Sequence, residues 1–122
     1  MERVQEFTQG GKNFVSIDFS GLSADKDFYK VIEMAVPLIA KHPELSVYTI
    51  TNIADLRFDS RTKEIAAKFM MHNKPFVKYG VITGLDGIKK MMARTVMMLS
   101  GRTNMHFTFS KEHAIEWLLC QD

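Results

Sequence analysis

The chain has 122 residues, 46% of them hydrophobic and 25% charged, an ordinary composition for a soluble globular protein and long enough to bury a core without metal or disulfide support. A single cysteine, Cys120, excludes an intrachain disulfide and a cysteine metal cluster and suits a reducing compartment. The net charge of +2 is uneven: residues 1–60 sum to −3, residues 61–111 to +8, and the last eleven to −3. Such a basic middle either draws phosphates, nucleic acid or an acidic partner, or is a solvated face balanced in space by acidic elements.

The start, MERVQEFTQGG, lacks the apolar stretch of a signal peptide, and no run approaches the roughly 18 apolar residues of a membrane span. The expectation is a cytoplasmic protein. Without repeats, low-complexity tracts or a Pro/Gly/Ser linker, residues 1–122 read as a single domain.

In chain order, RVQEFT and NFVSIDFS flank Gln9-Gly10-Gly11-Lys12, a glycine pair suited to a hairpin turn. In the second segment Val15, Ile17 and Phe19 alternate with polar residues, as in a half-buried strand; the first is the weaker pattern and suits an edge. Ser23 is the expected cap of a helix carrying Phe28, Val31, Ile32, Ala35, Leu38 and Ile39, which Pro37 should kink or end early. Leu45–Thr51, rich in β-branched and aromatic residues, reads as an interior strand. Asp59 or Ser60 begins a short helix with Ile65, Ala66 and Phe69 on its apolar side. FVKYGVIT is a further strand, and after GLDG comes a helix with Ile88, Met91, Met92, Thr95, Val96 and Leu99 on one stripe, ended by Gly101. Met105, Phe107 and Phe109 alternate in a last short strand, and Ser110 caps a final helix. Strands alternating with helices imply right-handed crossovers. The fold class is α/β: a mixed, mostly parallel sheet of about five strands with an N-terminal hairpin and about four helices.

The segment from Gly80 through Gly84 to Gly87 looks at first like a phosphate loop, but it matches neither GxxxxGK[ST] nor GxGxxG, and a GxxG clamp of the KH type would join two helices. What remains is either an anion held by Lys89, Lys90 and the backbone N–H groups of a helix start, or a tight turn capped by Asp86. The stripe residues Met91 and Met92 read as core, whereas Met97 and Met98 lean off it as a candidate exposed patch. His42, His72, His106 and His113 show no metal-ligand spacing, and Ser16, Ser20 and Ser60 lack GxSxG, so neither a metal, a cofactor nor a catalytic residue is implied. Ser60, beside Arg61 and Lys63 at a strand-loop-helix junction, is either a phosphate acceptor favoured by the helix dipole or a plain N-cap hydroxyl.

VSIDFSGL, LSVYTITNIADLRFDS, NKPFVKYGVITGLDGIKK and FTFSKEHAIEWL, spread over Asn13 to Leu119, resemble the small bacterial STAS-like domains, whose better-known members are anti-sigma-factor antagonists of the SpoIIAA type. The resemblance implies a mixed sheet with helices on one side and a non-enzymatic, regulatory protein-interaction module. It places Asp59-Ser60 where such antagonists carry a phosphorylated serine, although Arg61-Thr62-Lys63 replaces the small residues that follow it there. A more distant likeness, to CRAL-TRIO lipid-binding domains, implies instead a small apolar ligand or lipid between sheet and helices. The expected partner is another protein, or a second copy, at a face around Lys89, Lys90, Arg94, Met97 and Met98, with Ser60 as a switch. Nucleic acid is disfavoured, because the aromatics of the basic segment fall at core-facing strand positions.

Overall fold

The computed structural model describes every residue except Met1, Ala24 and Phe58. Five strands and four helices alternate as expected: β1 (Val4–Gln9), β2 (Lys12–Asp18), α1 (Lys26–Ala40), β3 (Val47–Asn52), α2 (Ser60–Asn73), β4 (Val77–Thr83), α3 (Gly87–Ser100), β5 (Met105–Phe107) and α4 (Lys111–Leu119). The strands form one sheet in sequence order, antiparallel between β1 and β2 and parallel from β2 to β5. Gly10 and Gly11, with φ of 59° and 77°, make the two-residue hairpin turn, a conformation glycine adopts without steric cost.

Alternation along the strands splits the core in two. Val15, Ile17, Val47, Val77 and Ile82 point to the face covered by Phe28, Val31, Ala35 and Ile39 of α1, Phe69 of α2 and Ala93 of α3. Phe14, Tyr48, Ile50 and Val81 point to the other face, where Ala114 and Leu118 of α4 cover them. The implied arrangement with helices on one side is corrected here: α1, α2 and α3 share a face, and α4 lies on the opposite one.

Lysine 12 fastens α4 to the sheet. Its ammonium donates to the carbonyls of Leu118 (2.8 Å), Leu119 (3.3 Å) and Gln121 at and just beyond the end of the helix, and lies over the Tyr48 ring. The Tyr48 hydroxyl donates to the carbonyl of Asp122 at 2.7 Å.

Three local expectations differ from what is observed. Asp25, not Ser23, caps α1, accepting from the N–H groups of Asp27 and Phe28. The last strand ends at Phe107, leaving Phe109, expected within it, 90% exposed beyond its end, while Pro37 sits in the last turn of α1. Finally, β3 begins at Val47 because Leu45 is turned to φ 51°, outside strand geometry.

Trp117, the one tryptophan, stacks on His106 at 4.2 Å and meets Tyr79 edge-on, so its fluorescence reports the docking of α4. Replacing Lys12→Met should cost about 1.5–3 kcal/mol. In denaturant, Trp117 emission in that variant should shift to the red before the far-ultraviolet signal of the sheet is lost; coincident transitions would show that Lys12 does not hold α4 in place.

Candidate functional site

The loop from β3 to α2 is built to hold the start of α2 in place. Asn52 Oδ1 accepts from the Ala54 N–H at 3.0 Å, and the N–H groups of Gly21 and Arg57 bond the carbonyls of Ala54 and Leu22, tying this loop to the one between β2 and α1. Ile53 and Leu56 are buried beneath it. Gly84 passes directly alongside: a Cβ there would come within 2.4 Å of the Ala54 nitrogen, and φ is +81°. Glycine at 84 thus makes room for a neighbouring loop.

At the end of this loop Asp59 caps α2. Its carboxylate accepts from the Thr62 N–H at 2.8 Å and from the Thr62 hydroxyl at 2.9 Å, and those two bonds hold its carboxyl below the usual range. Ser60 therefore stands one position inside the helix, exposed, with no capping duty. Arg61 beside it is engaged elsewhere, donating to the Tyr29 hydroxyl at 3.2 Å and lying over that ring.

The turn into α3 resolves in favour of a cap. Asp86 accepts from the Lys89 N–H at 2.9 Å and pairs with the Lys89 ammonium at 3.3 Å, interactions that depress its carboxyl pKa in that order. The charge at this helix start is thus met from within the chain.

Helix α3 itself is rotated from its expected orientation. Ala93, Val96 and Ser100 face inward, while Ile88 (69% exposed), Met91 (69%), Met98 (82%) and Leu99 (62%) face outward. Ile88, Met91 and Leu99, read as core from the sequence, lie on the surface; Met92 is half-buried. Of the expected interaction face, Lys90, Arg94 and Met98 are outward, and Lys89 and Met97 are half-buried. Lys90 and Arg94 lean towards β5, with their charges 5.9 and 5.8 Å from the centre of the Phe107 ring.

Arg102 went unnoticed in the sequence. It is 5% exposed, and its guanidinium donates to Asn104 Oδ1 (2.9 Å), the Met70 carbonyl (3.2 Å) and Met105 Sδ (3.1 Å). Among the described residues no carboxylate pairs with it, and burial pulls its pKa down to about 10. Asn104 passes the link on, donating to the carbonyls of Val77 and Lys78.

Two further features concern ligands or catalysis. An apolar cavity of about 60 Å³ lies between the sheet and the three helices, lined by Phe19, Phe28, Phe69, Ile82, Val96 and Met105 among others. Small-molecule pockets run to roughly 300–1,000 Å³, so this space is a packing gap too small for a lipid chain. A groove at the C-terminal ends of the strands is lined by Asp18, Asn52, Thr83, Ser110 and Lys111. Its polar groups already hold loops: Asp18 accepts from the Ser20 N–H, Asn52 from Ala54, and Ser110 caps α4. Ser110 Oγ lies 2.7 Å from His113 Nδ1, but the pair is exposed and part of a helix cap, unlike a nucleophile and base oriented by a buried third group.

Compared by sequence, the chain matches no protein-family model and no curated protein. Compared by structure, it is similar to an anti-sigma-factor antagonist (STAS) domain protein from Planctomyces limnophilus, with a TM-score of 0.60 over 94% of this chain and 97% of that one, at 7% identity. The fold is that of the STAS domains.

Two outcomes test this account. Gly84→Ala should destabilise by about 2 kcal/mol or more, since it combines a positive φ with a backbone clash; an unchanged midpoint of unfolding would mean that the loops are not locked together. At the opposite edge, Lys41 and His42 hydrogen-bond Glu6 and hold its carboxyl below the usual range. The stability it adds is therefore present above the ordinary glutamate pKa and lost as pH falls through the lower folded value. The thermal midpoints of wild type and Glu6→Gln should differ at pH 7 and converge as acidification passes below the ordinary glutamate range and through the lowered folded value.

Proposed function

We propose that this chain is a non-enzymatic regulatory module that binds a protein partner at the corner where α2 begins, with Ser60 as its phosphorylation switch. The observation that carries this reading is the position of Ser60: exposed at the first residue of α2, on a loop pinned by backbone hydrogen bonds, with capping left to Asp59. A STAS fold supports it, because the similar Planctomyces limnophilus protein is described as an anti-sigma-factor antagonist.

The electrostatics set the sign of the switch. A phosphate adds about −1.5 to −2 charges at neutral pH. Beside it stand the ionised Asp59 and an Arg61 already turned to Tyr29. Phosphorylation would therefore make the corner anionic and repel a partner rather than recruit an arginine and order the loop.

In an extract of the source cells, tagged wild type and Ser60→Ala should capture the same partner in near-stoichiometric amount, and Ser60→Glu should lose at least tenfold of it. Phosphate at Ser60, seen by mass spectrometry on protein from native cells, completes the test. Equal capture by all three forms would remove Ser60 from the interaction.

A further inference from the structure

The outward ridge of α3 is an apolar surface with a defined charge around it. Ile88, Met91, Met98 and Leu99 project along one side of the helix with Thr95 between them. Such a stripe at helical spacing ordinarily marks the buried side of a surface helix; here Ala93, Val96 and Ser100 take that role, and the larger apolar residues are left outside.

The charge next to the ridge has one sign. Helix α3 carries Lys89, Lys90 and Arg94 and no acidic residue. Lys90 and Arg94 run along the flank facing β5, and Lys74 reaches the far end, its ammonium 3.3 Å from where a Cβ on Gly101 would stand. The two acids of residues 61–111 are committed within their own helices, Glu64 near Lys68 and Asp86 on Lys89. A surface covering the ridge therefore meets apolar side chains at its centre and cations along one flank and at one end.

A second copy is a poor match, because apposing two α3 helices brings Lys90 and Arg94 against like charges. A protein partner is a poor match for a different reason. A stable protein interface takes roughly 20–30 residues a side and anchors on aromatic or arginine side chains in pockets. The ridge offers four flexible aliphatic and thioether side chains on one helix and no aromatic. An anionic bilayer asks for what is present: aliphatic side chains that enter the acyl boundary from a helix lying in the plane, and long cationic side chains that reach the headgroups beside it. No helix among the described residues is long and apolar enough to cross a membrane, so any contact made this way is peripheral.

We infer that the outer face of α3, with Ile88, Met91, Met98 and Leu99 inserted and Lys90, Arg94 and Lys74 around them, docks on an anionic lipid surface. This surface is separate from the Ser60 corner and does not depend on it. Each cation brought near an anionic membrane strengthens binding roughly fivefold at low ionic strength.

The experiment is co-sedimentation of the full chain with vesicles of phosphatidylcholine alone and of phosphatidylcholine with 30 mol% phosphatidylglycerol, in low and high salt. The expected result is at least tenfold stronger binding to the anionic vesicles, weakened by salt. Met91→Gln/Met98→Gln and Lys90→Ala/Arg94→Ala should each reduce it at least tenfold, while the thermal midpoint and Trp117 emission confirm that both double variants are folded. Equal affinity for both vesicle types overturns the inference, as does anionic-vesicle binding that survives both double variants. A dimer in light scattering that Met91→Gln/Met98→Gln abolishes would assign the ridge to a second copy. A stoichiometric protein partner lost in the same variant, with no vesicle binding, would assign it to a protein. The Ser60 capture experiment reads a different surface, so either reading can fail without the other.

Discussion

Strands that follow one another across the sheet in sequence order, joined by crossovers of one hand, determine most of this molecule. From β2 to β5 each connection steps to the next parallel neighbour, and right-handed crossovers in a constant direction deliver every connecting helix to the same face. α1, α2 and α3 are therefore laid side by side, with α2 between the other two. α4 follows β5 and packs on the face that the crossovers leave bare. That face needs a cover, since Phe14, Tyr48, Ile50 and Val81 all point into it.

The same constraint strands α3 at the end of a row. Its neighbour on one side is α2; on the other is only the margin of a three-residue strand. So short a strand cannot be held by ladder hydrogen bonds alone. It is held by side chains: Arg102 joins the last turn of α2 to Asn104 and Met105, Asn104 bonds the start of β4, and Gly80 leaves the space that Met105 fills. A guanidinium buried among neutral acceptors bears a desolvation cost, visible in its lowered pKa. The cost is met because three acceptors converge on it in geometries that a flexible ammonium would not match.

What was legible in the sequence follows from which forces are local. Alternation in Val15, Ile17 and Phe19, the Gly10-Gly11 turn, the Ser110 cap and the Gly101 stop are set by neighbours a few residues away, and each appears where the pattern places it; the cap of α2, left open between Asp59 and Ser60, falls to Asp59. Lys12 was not legible because its partners are backbone carbonyls more than a hundred residues away, and Arg102 because its burial and its bond to the Met70 carbonyl arise only in the finished fold. The orientation of α3 is the instructive failure. Periodicity shows that a helix has an apolar side, not where that side points. On α3 the small residues Ala93 and Ser100 with Val96 suffice to pack against the sheet and α2, and the larger side chains belong to the outside. The Ser60 position was visible in outline, but its freedom from capping required seeing the Asp59 carboxylate on Thr62.

These features together move the search for function from the interior to the surface. The space between sheet and helices is closed down to about 60 Å³, and Asp18, Asn52 and Ser110 at the strand ends are engaged in securing loops. The surface is different: a serine hydroxyl spared from capping by its neighbour, and a ridge of large apolar side chains that the core had no room to use. A contiguous row of exposed apolar side chains beside cations is the kind of face that another surface can cover. The end position of α3 makes that possible, because the side of the helix away from α2 has no neighbouring helix to fill it.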